Sequence, residues 1–512
     1  PPVGVRLPQL CVLGGLEVVG IHPENLTLPG WPSTRRFGPP TMTSTDPEFV
    51  GGTLDRGRGP EGAAPLACAG AVIALAVALC LRRIDVPFGY DESVTVGAFV
   101  KADSFLDATT SQIVANNHQA MSAVSHLIWR LSGSTSETTL RILPTIFFAS
   151  AAGLLTWASA RRFSWIVGLT AGVVLTTNPM VFGVSRSIRG YGLMMLCAVG
   201  ATLLLVRSTA GDPQDRRGGF SYLAVAVIGT SAQLYMLLVL VGHAAWCWRD
   251  RRLRAARWHV WPVAGATIGV ALQLPLLMTT LEADRGRVFR PDFPIDVAEA
   301  LLGSAPIAVL ASTLLLAMAL PEVRKRPELI AAIATIGTVA LAVWVVAPAD
   351  LYTRFFVGLS PAIALGTALG ARRISESVRG GPAVAAALVV AVLAGQTTVS
   401  MTDVGITEYA NREASTAINA AMANGLDPCV LSTSSEALMG YQQPRTIRSA
   451  PEADGCDLVI SLVPKWDNEI FPDLGSRFRH VMVLDSADTT GRIFTDAPLA
   501  CLEDDAPACA HD

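Results

Sequence analysis

The sequence predicts an α-helical polytopic membrane protein of about eleven transmembrane helices, with a small extracytoplasmic α/β domain at its C-terminal end. Three observations lead there. Hydrophobic residues make up 51% of the 512 residues and charged residues 16%, at a mean hydropathy of +0.44, too apolar for a soluble chain of this length. Apolar runs long enough to cross a bilayer as a helix, about 17–25 residues, recur between residues 63 and 400. The charge is also split. From Thr402 to Asp512 there are 18 acidic against 7 basic residues, whereas the rest carries 24 acidic and 32 basic. A basic membrane body therefore precedes an acidic, water-soluble tail, and nucleic acid is not an expected partner of either.

Residues 1–62 are rich in Pro, Gly and Arg, lack sustained periodicity and hold no methionine before Met42. They are expected to be a disordered or mis-annotated leader, with translation starting at Met42 and the first span serving as an uncleaved signal anchor. The body, 63–400, offers spans at 63–81, 139–160, 164–182, 190–206, 259–278, 305–320, 328–347, 354–371 and 381–400. The apolar stretch from Phe220 to Trp248 has basic clusters at both ends, Arg216-Arg217 and Arg249 to Arg257. One straight helix would put a cluster on each side of the membrane. A hairpin of two short spans turning near Thr230-Ser231-Ala232-Gln233 keeps both on one side, which follows the positive-inside bias. Arg161-Arg162, Arg207, Arg324-Lys325-Arg326, Arg372-Arg373 and Arg379 then share that cytoplasmic side. The expected placement is the plasma (inner) membrane, with a cytoplasmic amino terminus. The first outer loop, 82–138, and the tail, 401–512, lie outside.

In the tail, 408–424 has helical spacing, and "CVLST" (429–433), "DLVISLV" (457–463) and "HVMVLDS" (480–486) read as strands. Four of the nine cysteines fall here: Cys429, Cys456, Cys501 and Cys509. An even number in a domain placed outside predicts disulfides, with 429–456 and 501–509 the simplest of three connectivities. Cys68, Cys80, Cys197 and Cys247 lie in or beside spans and read as small hydrophobes.

The chemistry-bearing residues gather on the outer side. "YDES" (90–93) follows the first span, and a carboxylate costs about 2.5–3.5 kcal/mol at a bilayer centre, so Asp91 and Glu92 belong at or beyond the surface. "NNHQAM" (116–121) precedes a run in which Met121, Val124, Ile128 and Leu131 share a helical face opposite His126 and Arg130, too short to span and expected along the interface. "LRILP" (140–144) opens the second span with Arg141. "SRSIRGYG" (185–192) joins the third and fourth spans, and "LYTRFFVGLSP" (351–361) opens the tenth. Arg186, Arg189 and Arg354 thus share a side with Asp91 and Glu92, as expected where a carboxylate meets a phosphorylated lipid headgroup.

The order of these five motifs resembles membrane glycosyltransferases of the GT-C fold that use polyprenyl-phosphate sugars, of the protein mannosyltransferase and lipid A aminoarabinose transferase type. The resemblance covers roughly residues 64–400. It implies Asp91 as the base on an acceptor hydroxyl, and Glu92 as its partner, orienting the acceptor or sharing a divalent cation, Mg or Mn, with Asp91. It also implies Arg189, Arg354 and Arg186 on the donor phosphate, and Tyr90, Asn117, His118, Tyr191 and Tyr352 on substrate. The implied partners are a polyprenyl-phosphate sugar, an envelope acceptor (glycan, glycolipid or protein) and the bilayer, and the implied outcome is inversion at the anomeric carbon. Family members carry Asn-His-Pro-Pro where this chain has Asn117-His118-Gln119-Ala120, and the usual second acid of the loop falls at best on Asp103 or Asp107. The alternative is a transporter or flippase of a lipid-linked substrate, against which stand charges clustered at one surface and no internal repeat.

Overall fold

The structure is a computed structural model. It describes residues 63–82, 84–110, 118–211, 214–282, 290–303, 305–346, 352–401, 411–431, 438, 445–447, 455–464, 478–485 and 489–495. The leader, Met42, Asn117, Cys501 and Cys509 lie outside the described residues.

The first helix, Ala63–Leu81, coincides with the first apolar run, and its burial shows how the bundle is built. Pro65, Ala69, Val72, Ala76 and Cys80, three or four residues apart, form one buried stripe, while Leu66, Ile73 and Leu81 remain exposed on a helix apolar all round. A narrow buried stripe on an apolar cylinder is what a lipid-facing helix requires. The stripe packs against Glu137–Arg162 and Trp165–Thr177, where small residues bring the backbones together. A Cβ on Gly172 would sit 2.0 Å from Thr156 Oγ1, and one on Gly370 1.8 Å from the Leu315 carbonyl oxygen.

Among the described residues, six helices are long and apolar enough to cross a membrane: Ala63–Leu81, Glu137–Arg162, Tyr191–Ala210, Pro306–Arg324, Pro327–Val345 and Thr353–Ser377. A seventh candidate is Trp165–Thr177 with Pro179–Ser185, bent by 67°. The bend has a local cause. Asn178 caps the second segment by accepting from Val181 N–H at 3.0 Å, and Pro179 at its first position cannot continue the preceding helix. The Asn178 amide also donates to the Ala300 and Leu301 carbonyls, both at 3.1 Å, holding the C-terminal end of Phe293–Leu302. Met236–Arg249, Val260–Pro275 and Gly381–Thr397 are shorter apolar helices. Length and composition thus support six or seven spans among the described residues, and the helices Val260–Glu282 and Gly381–Met401 lie at two more of the expected positions, 259–278 and 381–400. The expected hairpin turn is present, with one helix ending at Ala232 and the next starting at Met236.

Two pairs of arginine-rich ends meet. Arg252 donates to the Thr209 and Gly211 carbonyls, both at 3.3 Å, and Arg373 pairs with Glu322 at 2.8 Å.

In the loop before the second long helix, Gln119–Ser132 is helical as expected, and it buries residues from both sides of the expected division, Met121 from the apolar face and His126 from the opposite one. Met121, Ser122, Ser125 and His126 are buried, whereas Leu131 is 88% exposed. His126 Nδ1 lies 3.0 Å from the Val100 carbonyl. Polar side chains answer the loop's own carbonyls, which leaves Leu127 and Leu131 facing outward, as an interfacial helix needs.

The tail contains a five-stranded sheet of order β2-β1-β3-β5-β4, with β1 Pro428–Leu431, β2 Arg445–Ile447, β3 Leu458–Pro464, β4 His480–Asp485 and β5 Thr489–Thr495. Strand β1 is parallel to β2 and β3, and β5 runs antiparallel to β3 and β4. Alternation along β3 turns Leu458, Ile460 and Leu462 toward Ala414, Ala417, Ile418 and Ala421 of the helix Asn411–Ala423. The expected Cys429–Cys456 disulfide is present and ties β1 to the residue before β3's neighbour Asp457. Strands β2 and β5 are additions to the sequence reading.

Candidate functional site

The site is built on a short helix, Tyr90–Thr95, capped by Gly89. A helix turns about 100° per residue, so two adjacent acids cannot share surroundings. Glu92 points inward and is 7% exposed; the Asp91 side chain stays a quarter exposed.

Glu92 is fully engaged. Its Oε1 accepts from Arg141 Nε at 3.1 Å and from the Ile188 backbone N–H at 2.9 Å. Its Oε2 accepts from Arg141 Nη2 at 2.5 Å and from the Gly89 N–H at 3.2 Å. The rest of the Arg141 guanidinium donates to the carbonyls of Ile84 (3.2 Å), Val86 and Pro87 (3.1 Å). All five guanidinium N–H groups are therefore used. Burial alone would raise the Glu92 carboxyl, but the charge and hydrogen bonds of Arg141, with the Ile188 and Gly89 N–H groups, outweigh it and hold it below its ordinary value. The pair fastens the loop 84–89, the short helix, the second long helix and the 186–190 turn at one point.

Asp91 faces two cations. Its Oδ2 pairs with Arg189 Nη1 and, at 3.0 Å, with Arg354 Nη1. Arg189 is buried and Arg354 about a third exposed. Arg189 Nε donates to His118 Nε2 at 2.9 Å, and His118 Nδ1 lies 3.1 Å from the Ala232 carbonyl at the hairpin turn. Burial first, and the Arg189 charge second, push the His118 imidazole well below its ordinary value against the opposing pull of Asp91. Gly190 makes this closure possible: a Cβ there would fall 1.9 Å from the same Ala232 oxygen. Beside Asp91, Arg354 lies 4.5 Å over the Tyr352 ring, and Tyr352 meets Phe355 edge-on at 5.5 Å. Phe355 in turn stacks on Tyr235 at 4.0 Å.

Asp91, Arg189, Arg354, His118, Tyr191 and Tyr352, dispersed over more than 260 residues, thus come together. Tyr191 is buried under the cluster, its ring 5.9 Å from His118 and 5.7 Å from the Arg189 guanidinium. Tyr90 opens the short helix. Arg186 turns into the bundle instead, 4.9 Å over Phe182 and toward Cys80. Asp103 and Asp107 stay exposed; the Asp103 carbonyl accepts from Arg130 and the Asp107 carboxylate from Ser104 at 2.6 Å. Two participants were missed. Arg141 was placed near the surface without its partner Glu92, and Tyr235 carried no signal beyond its place after the turn.

The donor set does not fit a divalent cation. Glu92 is filled by one guanidinium and two backbone N–H groups, Asp91 is held by two guanidiniums, and no group of three His, Cys, Asp or Glu among the described residues could surround a metal ion.

No protein-family model matches the chain, and no curated protein matches it. Among solved structures, the apo form of ArnT from Cupriavidus metallidurans matches at a TM-score of 0.51 over 85% of this chain and 98% of that one, with 12% identity. The chain has the fold of ArnT. ArnT bound to undecaprenyl phosphate matches at 0.49 over 83% and 97%, with 13% identity. AglB, the archaeal oligosaccharyltransferase of Archaeoglobus fulgidus, in complex with an inhibitory peptide and a dolichol-phosphate, matches at 0.49 over 77% and 69%, with 9% identity. ArnT is a lipid A aminoarabinose transferase, and both are membrane glycosyltransferases of the GT-C fold, the type that the motif order resembles.

Proposed function

We propose that the chain is an integral membrane glycosyltransferase that moves a sugar from a polyprenyl-phosphate donor to a cell-envelope acceptor on the extracytoplasmic face, with inversion. The observation that carries this is a partly exposed carboxylate, Asp91, held between two arginines at the common end of several helices. Two guanidiniums beside a carboxylate form a site for an anion that brings its own hydroxyl-reactive centre. A donor phosphate competes for the arginine N–H groups and releases Asp91 to accept the proton of the attacking hydroxyl. As the glycosidic C–O bond breaks, charge grows on the leaving phosphate, and Arg189 and Arg354 already stand where it develops. Tyr352, half exposed, and the Tyr235–Phe355 stack offer apolar faces for the sugar. Glu92 and Arg141 hold Asp91 in place from behind. The positive-inside bias supports a placement with this end of the bundle outside the plasma membrane and the arginine-rich loops on the cytoplasmic side.

The bent pair at Asn178 is the feature a transporter would share, since transporters build midplane sites on broken helices. Here the break carries no ionisable group, and its amide is spent on the Ala300 and Leu301 carbonyls. The deciding experiment is sugar transfer or hydrolysis from a labelled polyprenyl-phosphate donor by purified protein, with Asp91→Asn alongside. Turnover by wild type alone supports the reading; equal turnover by folded Asp91→Asn removes Asp91 from the chemistry. Lipid binding without turnover on any donor returns the weight to a transporter.

A further inference from the structure

The contacts of His118 define its protonation. A carbonyl can only accept, so the Ala232 oxygen requires the proton on Nδ1; Nε2 is then a bare lone pair, and the Arg189 Nε–H points at it. Both ring nitrogens are thus taken by the protein, which leaves no polar atom of the imidazole for a substrate. We propose that His118 is a positioning residue: a neutral imidazole that carries the Nε end of Arg189 and so keeps its Nη end aimed at Asp91 and the donor phosphate.

The brace is a chain of three links across four parts of the molecule. The Ala232 carbonyl, at the end of the helix Arg216–Ala232, anchors the ring; the ring anchors the guanidinium; the guanidinium meets Asp91. Gln119 fastens the same loop to the Leu272 carbonyl at 3.1 Å. Gly190 lets the turn carrying Arg189 lie against the Ala232 backbone. The groups that face His118 are Arg189 from the turn, Asp91 from the short helix, Tyr191 from the helix Tyr191–Ala210 and Arg354 from the segment Thr353–Leu359. A proton on Nε2 would set N–H against N–H and place a third positive charge beside the two arginines, with one carboxylate to balance them. The guanidinium would then leave the ring, and Asp91 would lose its buried partner. An active site so built works only while His118 is neutral, and its acid limit is set by a residue that never touches substrate.

This rests on the glycosyltransferase reading, and the test separates the two. Glutamine offers one acceptor and one donor and does not titrate; phenylalanine offers neither. The kcat/KM for a labelled polyprenyl-phosphate donor is followed from about pH 8 down to about pH 4, through the lowered His118 value, in wild type, His118→Gln and His118→Phe. Wild type should lose activity tenfold per pH unit once His118 is protonated. His118→Gln should keep measurable turnover and lose that limb, with KM raised more than kcat is lowered, while His118→Phe falls at least about 30-fold below His118→Gln at every pH. Glutamine as impaired as phenylalanine, or an unchanged acid limb in His118→Gln, overturns the proposal. A second arm needs no substrate. A histidine held neutral in the fold loses stability as pH drops below its ordinary value of 6.5, so wild type should lose melting temperature between pH 7 and 5 faster than His118→Gln. Equal slopes overturn the brace. Wild type inactive on every donor refutes the proposed function, and the melting comparison then decides the brace alone.

Discussion

Replacing Arg141 by methionine removes the counter-charge of Glu92 without opening a large hole, because the aliphatic stem is kept. The structure sets the expected loss. The carboxylate is 7% exposed and loses two of its four hydrogen bonds, while the Ile84, Val86 and Pro87 carbonyls lose their donor. Breaking one side of a buried ion pair costs about 3–5 kcal/mol. At about 2.1 cal/mol/K of unfolding entropy per residue, a body of roughly 340 residues would melt about 4–7 °C lower. The assay is a double-mutant cycle of melting temperatures in detergent with Arg141→Met, Glu92→Gln and the pair. Glutamine keeps an acceptor for the Ile188 and Gly89 N–H groups while removing the charge, so in the Arg141→Met background it should restore stability. The coupling should reach about 2 kcal/mol or more, against about 0.5 kcal/mol for sites that add independently. Additive losses, or an Arg141→Met protein melting within about 1 °C of wild type, would refute the clamp.

Three further outcomes follow from the same geometry. Gly190→Ala, with its Cβ 1.9 Å from the Ala232 oxygen, should force the turn away and cut transfer at least about tenfold, whereas Gly70→Ala, with open space around its Cβ, should change melting by less than about 1 °C. Glu92, held below its ordinary 4.5, adds stability that is complete above that value and lost as pH falls through the lowered one; acid melting curves should show this step in wild type and not in Glu92→Gln. Reducing Cys429–Cys456, which closes a 27-residue separation, should destabilise the tail by about 3.5 kcal/mol on the loop-entropy scale, read by limited proteolysis of the tail with donor turnover unchanged.

The long elements were legible because lipid imposes one rule everywhere: a spanning helix must be apolar along about 20 residues. Hence Ala63–Leu81 matches its apolar run to the residue. The break at Asn178 lay inside the run 164–182, where apolarity continues and only the Asn-Pro pair marked it. In the tail, β3 was plain from its continuous Val, Ile and Leu, but β2 has three residues and β5 contains Gly491 and three threonines, so neither carried a hydrophobic signal. The site was half legible. Charge on one side could be read from the loops, and it brought Asp91, Arg189 and Arg354 into one set. What could not be read was how adjacent residues divide: Asp91 and Glu92 look alike in sequence, and their difference rests on Arg141, 49 positions away, and Ile188, 96 away. The role of His118 depended on a carbonyl 114 residues distant.

That dispersion has a consequence for how the molecule is made. The Glu92 clamp needs only the loop 84–89, the short helix, the second long helix and the turn before Tyr191, so it can close while the chain is still being threaded into the bilayer. His118 waits for Ala232, and Asp91 waits longest, since Arg354 arrives some 260 residues after it. During synthesis the acid is therefore matched first by a single arginine, and the second charge completes the mouth only when the late helices dock. A chain stopped short of Thr353 would be a locked, half-charged scaffold, and assembly itself would act as the final checkpoint on reactivity.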